Sequence, residues 1–87
     1  MTIRLEASEP AWVSIIDDQG AKLFGKVLLA NETHTLELAR SATLRTGNAG
    51  GLTVEFNGQA IGPLGPAGKV REILFRDGSF KMLGATK

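Results

Sequence analysis

At 87 residues the chain has room for one domain, and a domain of that size buries only roughly 60–65% of its unfolded surface, leaving few side chains to build a deep active site. Its formal net charge is +1 and its ten basic residues are scattered, so no Lys/Arg run marks a nucleic-acid or anionic-lipid patch. The absence of cysteine excludes disulfides, thiolate metal sites and cysteine nucleophiles.

Alternation of period two, the mark of half-buried strands, dominates the chain. Ile3, Leu5 and Ala7 alternate with Thr2, Arg4 and Glu6, and Glu9-Pro10 then breaks the pattern because proline lacks an N–H. In Ala11-Trp12-Val13-Ser14-Ile15-Ile16 one face holds Ala11, Val13 and Ile15, the other Trp12, Ser14 and Ile16. Asp17-Asp18-Gln19-Gly20 reads as a turn. A strand over 21–29 carries Leu23, Val27 and Leu29, with Gly25 marking a bulge. Asn31-Glu32-Thr33-His34 reads as a loop, and Leu36 and Leu38 begin the next strand.

Ala42-Thr43-Leu44-Arg45-Thr46 continues as strand, followed by the turn-rich block Gly47-Asn48-Ala49-Gly50-Gly51. Leu52, Val54 and Phe56 alternate cleanly up to Asn57-Gly58, the preferred dipeptide of a type I′ hairpin, which folds Gln59-Ala60-Ile61 back on them. Residues 62–68 form a Gly/Pro loop, 69–75 a strand, and Asp77-Gly78 a second hairpin signal pairing 79–82 with it. The reading is a single all-β domain over 1–83 with a frayed tail at 84–87: an immunoglobulin-like antiparallel β-sandwich of seven or eight short strands. No apolar run approaches the ~18 residues of a membrane-spanning helix, and no signal peptide is visible; an exported parent would carry its signal outside this chain.

The motifs carry little chemistry. His34, the sole histidine, sits among polar residues and reads as a solvated loop residue. Asp17-Asp18 lacks the spacing of a calcium loop and reads as turn chemistry. Gly62 to Lys69 imitates a phosphate-binding loop, but Pro63 stands at the first glycine, Val70 replaces Ser/Thr and a strand follows. No catalytic, cofactor-binding or metal-ligating set emerges, and no enzyme is expected.

The turn positions are Gly20, Gly47, Gly50, Asn57, Gly58 and Gly78, with positive φ expected in the Gly47–Gly51 block. That block is either a tight connection, the favoured reading, or a backbone surface that a partner can approach, with Asn48 and Ala49 the contact residues. Trp12 is either a stacking platform or a core anchor; in a small sandwich the anchor is commoner. Phe80 and Met82 either complete the core, the reading slightly favoured, or form a docking edge. Trp12, Asn48, Ala49, Phe80 and Met82 are therefore the candidate partner-binding residues.

Three segments together resemble one family. Trp12 to Gly20 looks like its WVxxxDxxG strand and turn, Lys22-Leu23-Phe24 with Leu28-Leu29 looks like its next strand, and Leu44 to Gly58 looks like its GNAGxxxVxxNG block. They resemble the C-terminal domain of RodZ, the bacterial cell-shape protein of the MreB-linked elongation machinery, over about residues 3–75. The family commonly has Gly-Glu where this chain has Asn31-Glu32; asparagine tolerates the left-handed conformation, so the turn is expected to survive.

The resemblance implies a periplasmic domain of an inner-membrane protein. A cytoplasmic MreB-binding domain and one membrane helix would lie in a part of the parent that this chain lacks. It implies contacts with periplasmic proteins of the cell-wall elongation complex, and no nucleic acid or cofactor for this domain. A carbohydrate or peptidoglycan-binding module, motivated by Trp12 and the polar Thr, Asn and Gln residues, is the alternative.

Overall fold

A computed structural model describes residues 1–76 and 78–83. Nine antiparallel strands run through them: β1 (Thr2–Ala7), β2 (Ala11–Asp17), β3 (Lys22–Leu28), β4 (Thr33–Glu37), β5 (Ala42–Thr46), β6 (Leu52–Phe56), β7 (Gln59–Pro63), β8 (Arg71–Arg76) and β9 (Ser79–Leu83). They form a four-stranded sheet, β4-β1-β6-β7, and a five-stranded sheet, β3-β2-β5-β8-β9. The only helical element among the described residues is a 3₁₀ turn at Ala49–Gly51. The all-β sandwich expected from the alternation is the observed architecture, with nine strands rather than seven or eight.

Alternation decides which side chains meet between the sheets. Ile3 and Leu5 of β1 and Val54 of β6 face Val13 and Ile15 of β2, Leu44 of β5, and Ile73 and Phe75 of β8, all fully buried. Phe56 and Phe75 stack across the interior with ring centroids 5.1 Å apart. Each such side chain contributes about 1.5–3 kcal/mol through burial, so the central strands of the two sheets carry most of the stability.

The edges depart from simple alternation. Pairing between β2 and β3 shifts between Ile15, opposite Phe24, and Ile16, opposite Lys22. Leu23 is therefore the extra residue of the bulge, two positions before Gly25, which pairs regularly with Ser14. The core residues of this strand are Phe24 and Leu28, whereas Leu23, Val27 and Leu29, the apolar positions that marked it as a strand, are exposed. His34 is likewise no loop residue. It lies in β4 opposite Leu5 and packs at a tilt against Phe24, ring centroids 4.5 Å apart.

The antiparallel strands, most of whose connections cross between the two sheets, gather those connections at two poles. At one, Leu38 donates its N–H to the Met1 carbonyl (2.6 Å), Asp18 to Ser41 (2.9 Å) and Asn57 to Thr2 (2.7 Å). At the other, Ser8 donates to Gly51 (2.8 Å), Ala7 to Glu32 (3.0 Å) and Ala49 to Lys69 (2.9 Å). The expected turn chemistry holds at Gly20 (φ 82°), at Asn57-Gly58 (φ 50° and 83°) and at Gly78 (φ 76°). Its hairpin partner Asp77 and the tail at 84–87 lie outside the described residues. Asn31 has φ 70°, the left-handed value expected of the residue standing in for glycine.

Candidate interaction face

The Gly47–Gly51 block illustrates how an apparent binding surface is consumed by the fold itself. Neither Gly47 nor Gly50 has positive φ, contrary to expectation. Gly50 is glycine because the Gly/Pro segment lies against it: a Cβ there would run into the Ala67 backbone, 2.6 Å from its Cα. Gly50 donates to the Pro66 carbonyl at 3.2 Å.

Asn48 staples the same pole together. Its Nδ2 donates to Glu9 Oε1 and to the Pro10 carbonyl, both at 3.1 Å, and its Oδ1 accepts from Gly68 N–H at 2.7 Å. Ala49 is fully buried and offers no surface. The block is the tight connection that was favoured: the backbone that a partner would have approached on the alternative reading is covered by the chain's own 66–69 segment, which also gives the Gly/Pro loop its role.

Trp12 departs from the core-anchor expectation. Its indole is 44% exposed, because it occupies the phase of β2 opposite to Ala11, Val13 and Ile15, which fill the core. On the outer face of the five-stranded sheet Trp12 stands directly opposite Val27, Ser14 opposite Gly25, and Ile16 opposite Lys22. Val27 is 47% exposed, Ile16 41% and Leu23 40%.

Four large apolar side chains thus crowd two neighbouring strands on the solvent side. The glycine at 25 leaves a dip between them: the Lys22 stem crosses it, since a Cβ on Gly25 would sit 3.1 Å from Lys22 Cδ. Lysine stems cover apolar surface while keeping the ammonium in water.

Charge is divided between the two outer faces. On the four-stranded sheet, Glu6, Glu37 and Glu55 outnumber Arg4, whose guanidinium contacts Glu6 Oε1 at 3.4 Å and Glu55 Oε2 at 3.3 Å. On the five-stranded sheet, Lys22, Arg45 and Lys81 accompany one carboxylate, Glu72, opposite Arg45. None of these three cations forms an ion pair with another described residue. The nearby Asp17 carboxylate is engaged in its own turn, accepting from Gln19 and Ala21 N–H at 2.9 and 2.8 Å, and Asp18 contacts Arg40 at 3.8 Å.

Phe80 and Met82 point to the core side of β9, opposite Phe75 and Ile73. They do not complete the core, as was slightly favoured: β9 overhangs the edge of the sandwich, and both remain well exposed although Phe80 packs edge-on against Phe56 with centroids 5.8 Å apart. Of the five candidate residues, then, Trp12 lies on one face, Phe80 and Met82 on the opposite flank, and Asn48 and Ala49 within the loop pole. Sequence reasoning overlooked Ile16, Leu23 and Val27 as surface residues. The available signal was that β2 is apolar in both phases.

The described residues enclose no pocket, and no group of three or more metal-ligating side chains converges among them. The chemistry on offer is that of a surface: an exposed apolar sheet face on a β-sandwich, rimmed by cations that form no ion pair with another described residue. A family model for the RodZ C-terminal domain matches residues 4–73. The chain belongs to this family, that of a cell-shape protein. Searches of curated proteins and of solved structures returned no match.

Proposed function

We propose that this chain is the periplasmic domain of an inner-membrane cell-shape protein and works without catalysis, by contacting periplasmic proteins of the cell-wall elongation complex. The family membership supports that setting. The observation that carries the binding role is the exposed Trp12–Val27 pair with Ile16 and Leu23 beside it. Side chains of this size in solvent, adjacent on two strands, are characteristic of contact surfaces rather than of a sheet face kept in water.

The test is complementation of cell shape by the full parent protein. Trp12→Ser with Val27→Thr is expected to abolish rod shape while the isolated chain keeps its strand circular dichroism. Normal rods from that variant, or from a parent lacking residues 1–87, would overturn the reading.

A second reading follows from the same indole. An exposed Trp12 can stack on a sugar ring, so peptidoglycan binding remains the alternative function. Titration with soluble muropeptide, following Trp12 emission, separates the two: saturable quenching supports the glycan reading, and no change at millimolar ligand removes it.

A further inference from the structure

We infer that the outer face of β2 and β3 takes a protein segment that is apolar and acidic, with its carboxylates lying over Lys22 and Arg45. The inference rests on the interaction role proposed above and adds the chemistry of the partner and the place where it binds.

Two independent features of the face agree. The apolar part is the strip of Trp12, Ile16, Leu23 and Val27. The charged part brackets it. Lys22 crosses the strip beside Ile16, and Arg45 borders it on β5, opposite Ser14. Lys81 lies further across the same face, opposite Leu74.

These cations form no ion pair with a described residue, although Glu72 stands opposite Arg45, whereas the basic residue on the opposite face is already paired. An acidic segment would meet unpaired positive charge here and repulsion on the other face. A basic segment would meet the reverse, and like-charge juxtaposition is an effective filter against wrong partners.

Docking is expected on the face, not along the β3 edge. That edge carries the bulge at Leu23, the glycine at 25, and the lysines 22 and 26. Bulges and lysines are the devices that discourage strand addition.

The probes are two short, capped, tryptophan-free peptides of serine and leucine, one carrying glutamates and the other lysines at the same positions. They are titrated into the 87-residue chain. Trp12, the single tryptophan, reports by emission, and amide NMR shifts locate the contact. The glutamate peptide is expected to shift Trp12 emission to the blue and to move the amides of Trp12, Ile16, Leu23 and Val27. It is expected to bind about tenfold more tightly than the lysine peptide, the factor that two surface ion pairs supply, and more weakly at high salt. Lys22→Glu with Arg45→Glu, both at exposed positions, should invert the preference.

Equal binding of the two peptides would overturn the inference. So would shifts confined to another face, tighter binding of muropeptide than of the glutamate peptide, or covering of Trp12 by self-association in sedimentation. Any of these results, with cell shape still lost in the Trp12/Val27 variant, refutes the acidic partner alone. Normal rods in that variant refute the interaction role itself.

Discussion

Replacing Gly50 by alanine tests whether the Gly/Pro segment is held as tightly as its contacts indicate. The new methyl would displace the Pro66–Ala67 backbone, since it would stand 2.6 Å from Ala67 Cα. Moving that backbone puts three hydrogen bonds at risk: Gly50 N–H to Pro66 at 3.2 Å, Ala49 N–H to Lys69 at 2.9 Å, and Gly68 N–H to Asn48 Oδ1 at 2.7 Å. At about 1 kcal/mol net each, their loss costs ~3 kcal/mol. Because Gly50 has no positive φ, alanine also removes freedom from the unfolded chain, which returns about 0.4–1 kcal/mol.

The expected net destabilisation is therefore ~2 kcal/mol, a fall in Tm of roughly 8–16 °C for a domain of this size. Urea unfolding with an unchanged slope is the assay, together with hydrogen exchange at the Ala49 and Gly68 amides, which should accelerate ahead of the strands. Gly20→Ala is the control. Gly20 has φ 82° with no atom within 4 Å of a new Cβ, so its cost is conformational only, about 1–2 kcal/mol. A Gly50→Ala protein as stable as the parent or more so would refute the argument, because it would show that the segment is free to move aside.

Phe75→Ala should destabilise by about 3–5 kcal/mol, since Phe75 is fully buried and stacked on Phe56, whereas Trp12→Ser on the solvent face should cost about 1 kcal/mol or less in the same unfolding assay. Gly58→Ala should cost about 1–2 kcal/mol through its φ of 83°, read as a lower thermal midpoint. The Glu37 carboxyl titrates below its ordinary value, because Thr2 Oγ1 donates to it at 2.8 Å and the terminal ammonium does so at 3.2 Å. A carboxyl lowered in the folded state adds stability that is present above its unfolded pKa and is lost as pH falls through the folded one. Thr2→Val should therefore raise the Glu37 titration observed by NMR and flatten the acid limb of the stability curve.

The interior was legible because burial imposes alternation: Ile3/Leu5, Val13/Ile15 and Leu52/Val54/Phe56 could be read directly, and Asn57-Gly58 announced its own hairpin. The edge strands were harder. β3 has its apolar residues in both phases with a bulge between them, so Leu23 and Val27 looked interchangeable with Phe24 and Leu28 until pairing with β2 fixed the register. His34 was misplaced for a related reason, since nothing near it in sequence discloses Phe24 as its neighbour. Trp12 was ambiguous because β2 offers apolar residues to both sides and only the partner sheet decides which side is inner. For the block around Asn48 an open surface stayed an alternative to the favoured tight connection, because the segment that covers it comes some twenty positions later.

The arrangement of the two poles has a consequence for handling the molecule. Met1 begins at the pole of the Asp17–Ala21 and Asn57-Gly58 turns, while Trp12, the second residue of β2, lies near the opposite pole, where Gly47 donates to its carbonyl at 2.9 Å. A tether, label or sensor surface joined at the amino terminus therefore holds the domain by the end away from its indole and leaves that end unshadowed. Immobilised through residue 1, the chain presents Trp12 and Val27 at the end far from the support. Attachment through a lysine gives no such guarantee, because Lys22 lies across the very strip to be probed.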